Sequence, residues 1–259
     1  MKHHLLRLCA ALSAVVLVGC ASVPAVAPGA AAASAPTAGQ KADPWENWNR
    51  KVYAFNDALD SNVVKPVAEA YKAVVPPLVR TGVTNVLGNI GDVWSTANHL
   101  LQGKVQSGFE MGMRVIVNTT FGLAGLLDPA SEMGLTRRSE DFGQTLGHWG
   151  VGPGPYVVLP VLGPSTLRDT LAWPVDRLYA PGSLPPTDLG RYSVVALELI
   201  STRTNLLSTT ALLDQVALDR YSFLRDAYLS RRLDQIHDGA PPMETFDDEP
   251  AEPADTKKK

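Results

Sequence analysis

Cysteine is almost absent from this 259-residue chain: there are two, Cys9 and Cys20. None follows Cys20, so no disulfide can hold the body of the protein, and its core rests on packing alone. A basic excess is missing too. The formal charge is −3, whereas a duplex nucleic-acid binder would carry a basic patch, so nucleic acid is not an expected partner. Beyond Cys20 no stretch offers the roughly 20 consecutive apolar residues of a spanning helix. Alternating strand patterns are nearly absent; the best strand candidate is the β-branched run Tyr156 to Leu162. His99 and His148 have no second ligand at i+4, which argues against a metal site. No serine sits in a strand-to-helix elbow, and Gly150-Val151-Gly152-Pro153-Gly154 lacks the strand-turn-helix frame of a dinucleotide loop. Asp169 and Asp176 lie seven residues apart on one helix and read as solvated or capping groups rather than an acid/base pair. Neither an enzyme activity nor a cofactor is expected.

What is present begins at the N-terminus. Lys2 and Arg7 precede or flank an apolar stretch from Leu8 to Gly19, the order of a secretory signal. The run Leu17-Val18-Gly19-Cys20 resembles a bacterial lipoprotein processing site. On that reading residues 1–19 are removed, Cys20 becomes the lipid anchor, and the protein works at a membrane outside the cytoplasm. An ordinary signal peptide with an incidental cysteine is the alternative. After Cys20 the chain to Ala42 is rich in Ala, Pro and Gly and nearly uncharged, which predicts a disordered tether with a coil length of about 25 Å. Residues 239–259, Pro-rich and acidic before three terminal lysines, read as a disordered tail.

Residues 43–238 read as one helical domain. Asp43 can cap a helix, Pro44 suits its first turn, and Glu46 can answer back to the cap. Trp45, Trp48, Val52, Phe55 and Leu59 then recur at spacings of three and four and form one apolar stripe. Such a stripe suits a membrane interface and a protein core equally. Further helices are expected over Val63 to Val74, Leu78 to Ile90, Asp92 to Leu101 (after a break near Gly91) and Lys104 to Phe121. Others are expected after a cap at Ser165, over Leu189 to Asn205, and over Leu218 to Ile236.

The segment from Phe142 to Leu167 contains no Asp, Glu, Lys or Arg. Its glycines (Gly143, Gly147, Gly150, Gly152, Gly154, Gly163) and prolines (Pro153, Pro155, Pro160, Pro164) predict irregular backbone. An exposed loop of this length normally carries charge, and irregular backbone at membrane depth survives only where protein or a water-filled passage covers it. Two readings stay open: the lip or gate of a channel, and a structural loop tucked across the helices. The candidates on the first reading are Phe142, Gly143, Gly147, Gly150, Gly152, Gly154, Pro155, Tyr156, Leu159 and Pro160.

Several motifs in order carry a family resemblance. The first is Asp43-Pro44-x-Glu46-x-x-Asn49-Arg50-x-x-Tyr53-x-Phe55-Asn56-x-x-Leu59-Asp60. Lys65-Pro66-Val67-Ala68, Leu101-Gln102-Gly103, Arg114 and Val117-Asn118-Thr119 follow. The most specific is Phe142-Gly143-Gln144-Thr145-Leu146-Gly147-x-x-Gly150-Val151-Gly152-x-Gly154-Pro155-Tyr156, continuing through Leu159-Pro160 to Leu167-Arg168-Asp169. Over about residues 43–237 the chain resembles the VacJ/MlaA family of outer-membrane lipoproteins.

The resemblance implies an all-α body with its amphipathic helices in a ring around a central hydrophilic channel, seated in the periplasm-facing leaflet of the outer membrane. It implies that misplaced phospholipids leave the outer leaflet through this channel and pass to a soluble periplasmic carrier that serves an inner-membrane ABC transporter. A trimeric porin is the implied membrane partner. Asn49, Arg50, Phe55 and Asn56 would support the ring or face the passage. The alternative from another class is a structural lipoprotein that scaffolds a porin or an envelope complex; a lipid or cell-wall hydrolase lacks a nucleophile arrangement.

Overall fold

The structure, a computed structural model, describes residues 43–241. The expected signal, Cys20, the tether and residues 242–259 of the tail lie outside the described residues. What is described is all-α apart from one β-hairpin.

Helix α1 (Glu46–Leu59) begins without the expected cap. Trp45 holds the N-cap position and makes no side-chain bond to the helix. Asp43 is instead buried, where its carboxylate accepts from Asn49 Nδ2 (2.8 Å) and from the Tyr221 hydroxyl. Glu46 pairs forward with Arg50 (2.7 Å) rather than back to the cap. Donors offered from the interior outcompete the helix start because Pro44 and Trp45 turn that start toward the outside. α1 continues through a π-helical turn (Asp60–Val64) into α2 (Lys65–Val74). Pro66 accounts for the wider turn: it has no N–H to give, and its ring would press on the Asn62 carbonyl of a regular helix.

α3 (Pro77–Leu101) is a single helix of 25 residues, where the sequence suggested a break at Gly91. Two of its glycines, Gly82 and Gly88, serve close approach. A side chain at Gly88 would stand 2.5 Å from the Arg137 guanidinium, which lies across the helix to reach Asp92. After a turn at Gly103, α4 (Val105–Thr120) packs back along α3. Leu123 and Ala124, both left-handed, lead to the short α5 (Pro129–Glu132), capped by Asp128.

The charge-free segment is more regular than expected. It opens with α6 (Phe142–His148), capped by Asp141, whose side chain accepts from Gln144 N at 2.8 Å. It closes with the antiparallel pair β1 (Tyr156–Leu159) and β2 (Gly163–Thr166), registered from Tyr156 opposite Thr166 to Leu159 opposite Gly163. The strand stops at Leu159 rather than Leu162, because Pro160 cannot donate and Val161 turns left-handed (φ 68°). Ser165 belongs to β2, so the cap of α7 (Leu167–Tyr179) falls to Thr166, which accepts from Asp169 N. α8 (Asp188–Val216) runs on past Asn205, and α9 (Arg220–Ile236) completes the set.

α2 packs on α8, α6 lies against α7 and α9, and β1 rests on α1. The apolar core is small: Val52, Tyr156, Val158 and Tyr221, with Tyr53, Tyr228 and Leu229 against them. Among the described residues buried polar and charged side chains outnumber buried apolar ones. The stripe on α1 shows the inversion. Val52 enters the core, while Trp48 is 60 % and Phe55 55 % exposed. The edge of the helix beside Val52, which carries Asn49 and Asn56, points inward. Asn49, wholly buried, donates to the Tyr156 carbonyl (3.1 Å) and accepts from Val158 N (2.9 Å); one turn pair further on, Asn56 donates to the Leu159 carbonyl (2.9 Å) and accepts from Val161 N (2.7 Å). Two asparagines thus give β1 the backbone partners that a third strand would. Asn49→Ala would leave two buried backbone groups without partners and take one donor from Asp43, and is expected to lower unfolding stability by about 3 kcal/mol in denaturant titrations. Asn56→Ala, at the exposed end of the hairpin, is expected to cost less.

Candidate functional site

The interior is organised by buried charge. Arg114 of α4 has no exposed surface. Its Nη2 donates to both oxygens of Asp128 (3.0 Å each), and its Nη1 donates to Ser131 Oγ (3.1 Å) and to the Leu135 carbonyl. Asn118 adds a bond to Asp128 at 2.8 Å. On the other side Asp92 of α3 takes Arg137 Nε at 3.0 Å and lies 3.7 Å from Arg114 Nε. Burial pushes the Asp92 carboxyl up from the ordinary carboxylate range, against the pull of both arginines. Asp128 goes the other way. Burial raises it, but bonds from Ser131, Asn118 and Arg114, with the Arg114 charge, outweigh this and hold it down at about 2.

The segment Arg138–Glu140 runs beside α3 and is pinned to it. Ser95 Oγ donates to the Arg138 carbonyl (2.9 Å) and accepts from Glu140 N (2.8 Å), and His99 Nε2 also stands 3.0 Å from the Arg138 carbonyl. A polar cavity opens on each side of this segment, and Ser139 and Glu140 line both. The larger, of about 580 Å³, lies toward the start of α4 and the end of α9. The smaller, of about 320 Å³, lies between α3 (Thr84, Gly91, Asp92) and α8 (Glu198, Ser201, Asn205). A third hollow, of about 620 Å³, is mostly apolar and is lined by Val93, Trp94, Val115, Leu178 and Leu184. There Trp94 stacks on Tyr179 with centroids 4.1 Å apart, and its Nε1 donates to Asp176 (2.7 Å).

The residues singled out in the sequence fall into three groups. Gly143 and Gly147 face a buried charge cluster. A side chain at Gly143 would meet Arg232 and Asp169 at 2.6 Å, and one at Gly147 would meet Arg168 at 2.7 Å. Gly150 and Gly154 have positive φ and Gly152 faces open space, so this stretch makes the bends before the hairpin. Its backbone also holds α7: the Pro153 and Pro155 carbonyls accept from Arg168 N and Leu167 N. Phe142 packs edge-on to Trp149, Tyr156 is buried in the core, and Leu159 and Pro160 form the hairpin's outer end. Arg50 spans Glu46 and Asp219 and covers the Tyr221 ring at 4.4 Å, while Phe55 faces outward. Asn49, Arg50 and Asn56 therefore support the fold; none of the singled-out residues lines either polar cavity.

Sequence reasoning missed the partners across the chain. Asp169, read as solvated or capping, is buried between Arg168 (2.8 Å), Arg232 (2.9 Å) and the Tyr228 hydroxyl (3.0 Å). Asp176, read likewise, takes Trp94 Nε1 and Phe142 N, and burial pushes its carboxyl up. Arg232 holds both oxygens of Asp141 at 2.6 Å, so Asp141 serves that arginine as well as the helix cap. Among the described residues no three His, Cys, Asp or Glu side chains are placed to hold a metal ion.

An all-α body with many large apolar side chains outside and buried charge within reverses the arrangement of a water-soluble bundle. The chain belongs to the MlaA lipoprotein family, whose model matches residues 41–235. It is 39 % identical over 233 residues to proteins of Shigella flexneri and Escherichia coli K12 named intermembrane phospholipid transport system lipoprotein MlaA, covering 87 % of both chains in each case. A Haemophilus influenzae protein of the same name is 31 % identical, with 90 % of each chain covered. A solved structure from work on the structural basis for maintenance of bacterial outer membrane lipid asymmetry matches with a TM-score of 0.65 and 37 % identity. The match covers 73 % of this chain and 96 % of that one.

The Asp128 pairing has a pH signature. A carboxyl held at about 2 in the fold, against an ordinary value near 4 when unfolded, contributes stability that is complete above the unfolded value and is lost as pH falls toward the folded one. Asp128→Asn is expected to remove this part of the acid dependence, read as a flatter unfolding-stability curve between about pH 4 and 2.

Proposed function

We propose that this chain removes misplaced phospholipids from the outer leaflet of the outer membrane through a hydrophilic path and hands them to a soluble periplasmic carrier. The observation that carries the reading is the pair of polar cavities meeting at Ser139 and Glu140 beneath an apolar exterior. A phospholipid crosses hydrocarbon slowly because its headgroup loses its hydrogen-bond partners there. Groups such as Asp92, Ser95, Arg138 and Glu140 replace those partners along a path. The acyl chains keep to apolar surface, for which the hollow around Val93 and Leu178 is suited. No bond is made or broken, so no catalytic group is required, and direction comes from removal downstream by the carrier and an inner-membrane ABC transporter. Lipid anchoring at Cys20, residence in the periplasm-facing leaflet, a ring of helices around the path and a trimeric porin partner complete the reading. The names of the relatives and the family resemblance support it.

The path can be plugged without disturbing the fold. A Cβ at Gly91 meets nothing within 4 Å, and the residue lines the smaller cavity. Gly91→Phe is expected to fill that space and to raise surface-exposed phospholipid in cells to the level of a deletion strain, with unchanged protein abundance. Unchanged clearance by the plugged protein would overturn the path. The Phe142–Leu167 segment acts as its gate on this reading. A disulfide joining Asn56→Cys on α1 to Val161→Cys at the hairpin turn is expected to halt clearance, and reductant to restore it.

A further inference from the structure

The larger polar cavity carries an unanswered acceptor. Gln144 is 3 % exposed, and its Nε2 donates to the Ser139 carbonyl (3.3 Å) and to Asp141 Oδ2 (3.2 Å). Both of those partners are acceptors, so the amide cannot be turned round, and Oε1 is left buried without a donor on a residue that lines the cavity. The nearest cation does not supply one. Lys104 Nζ is shared by Asp238 (2.6 Å) and Glu140 (3.4 Å). Asp234, on the same wall, has no cation of its own among the described residues. Three carboxylates (Glu140, Asp234, Asp238) stand against two cations (Lys104, Arg138) around this space. A ligand that completes it brings positive charge and N–H donors.

Arg138 sits at the other pole. Its side chain is 55 % exposed and, among the described residues, is held only by Ser107 Oγ (3.3 Å) and Glu110 (3.5 Å), which leaves guanidinium donors for an anion. We infer that this cavity is a headgroup site selective for zwitterionic phospholipids with a primary amine, the phosphate lying at Arg138 and the ammonium among Gln144 Oε1, Asp234 and Glu140. A phosphocholine carries the charge but no N–H, and leaves Gln144 unpaired. A phosphoglycerol offers hydroxyl donors but brings net negative charge to a wall already in carboxylate excess. The inference deepens the transport reading and rests on it.

The test uses the purified full-length protein with an equimolar mixture of dioctanoyl phosphatidylethanolamine, phosphatidylcholine and phosphatidylglycerol, and counts bound lipids by native mass spectrometry. The wild type is expected to hold the ethanolamine lipid over either competitor by about threefold, the scale of one partly screened charge contact. Asp234→Asn, a change at an exposed position, is expected to bring the ethanolamine-to-glycerol ratio near unity with circular dichroism unchanged. Binding without headgroup preference, a preference for either competitor, or a ratio unmoved by Asp234→Asn overturns the headgroup site and leaves the transport reading standing. Absence of any bound lipid overturns both.

Discussion

Asp169 is a carboxylate removed from water at the junction of three helices, and the protein has to answer its charge from within. Arg168 beside it and Arg232 from α9 do so, with the Tyr228 hydroxyl as a third donor. Burial raises the Asp169 carboxyl, and the arginines more than reverse this, so it stays ionised and below the ordinary range. Arg232 then reaches on to Asp141, the residue that caps α6. One guanidinium thus ties the end of α9 to the starts of α6 and α7, and so anchors both ends of the stretch that carries the hairpin. Taking one partner from such a cluster costs about 3–5 kcal/mol, because the charge left behind stays buried. The whole charge-free segment is therefore placed by charges that lie just outside it in sequence.

How much of this was readable from the chain follows from the range of each interaction. The helices were legible because apolar spacing and Gly/Pro punctuation are local. The motif Asn49-Arg50 through Asn56 marked the right residues, but spacing alone gives a stripe and says nothing of which side meets the core. The structure settles it: Asn49 is inside and Trp48 outside. Glycine misled twice. Gly91 was read as a break and Gly143 and Gly147 as irregular backbone, since propensity counts the entropy that glycine costs and not the neighbour it admits. In each case a helix persists, and at Gly143 and Gly147 the missing side chains make room for Arg232 and Arg168. The polar cavities were the least legible, because their walls come from α3, α4, α6, α8, α9 and the segment Arg138–Glu140, elements spread over more than 150 residues of chain.

The balance of surfaces suits a boundary between two solvents. Leu78 is 87 % and Leu189 79 % exposed, a cost in water that hydrocarbon removes. Within, Asp92, Arg114, Asn118 and Asp128 balance one another's charge and polarity where neither water nor lipid can serve them. In the proposed membrane setting a small apolar core is sufficient, since the greasy surface there has lipid for a partner.

The π-helical turn at Asp60–Val64 makes one long rod point two ways. A π-turn carries an extra residue, which shifts the angular phase of everything after it by about 100°. Before it, Asn49 and Asn56 aim at the hairpin; after it, Ala68 is turned flush against α8, where Thr204 Oγ1 bonds its carbonyl at 3.3 Å. Arg203 grips both oxygens of Asp60 at 2.7 and 2.8 Å and so clamps the phase at its origin. A chain shortened by a single residue here would keep its helix and lose its aim, dialling Ala68 off α8 while the asparagines stayed on target.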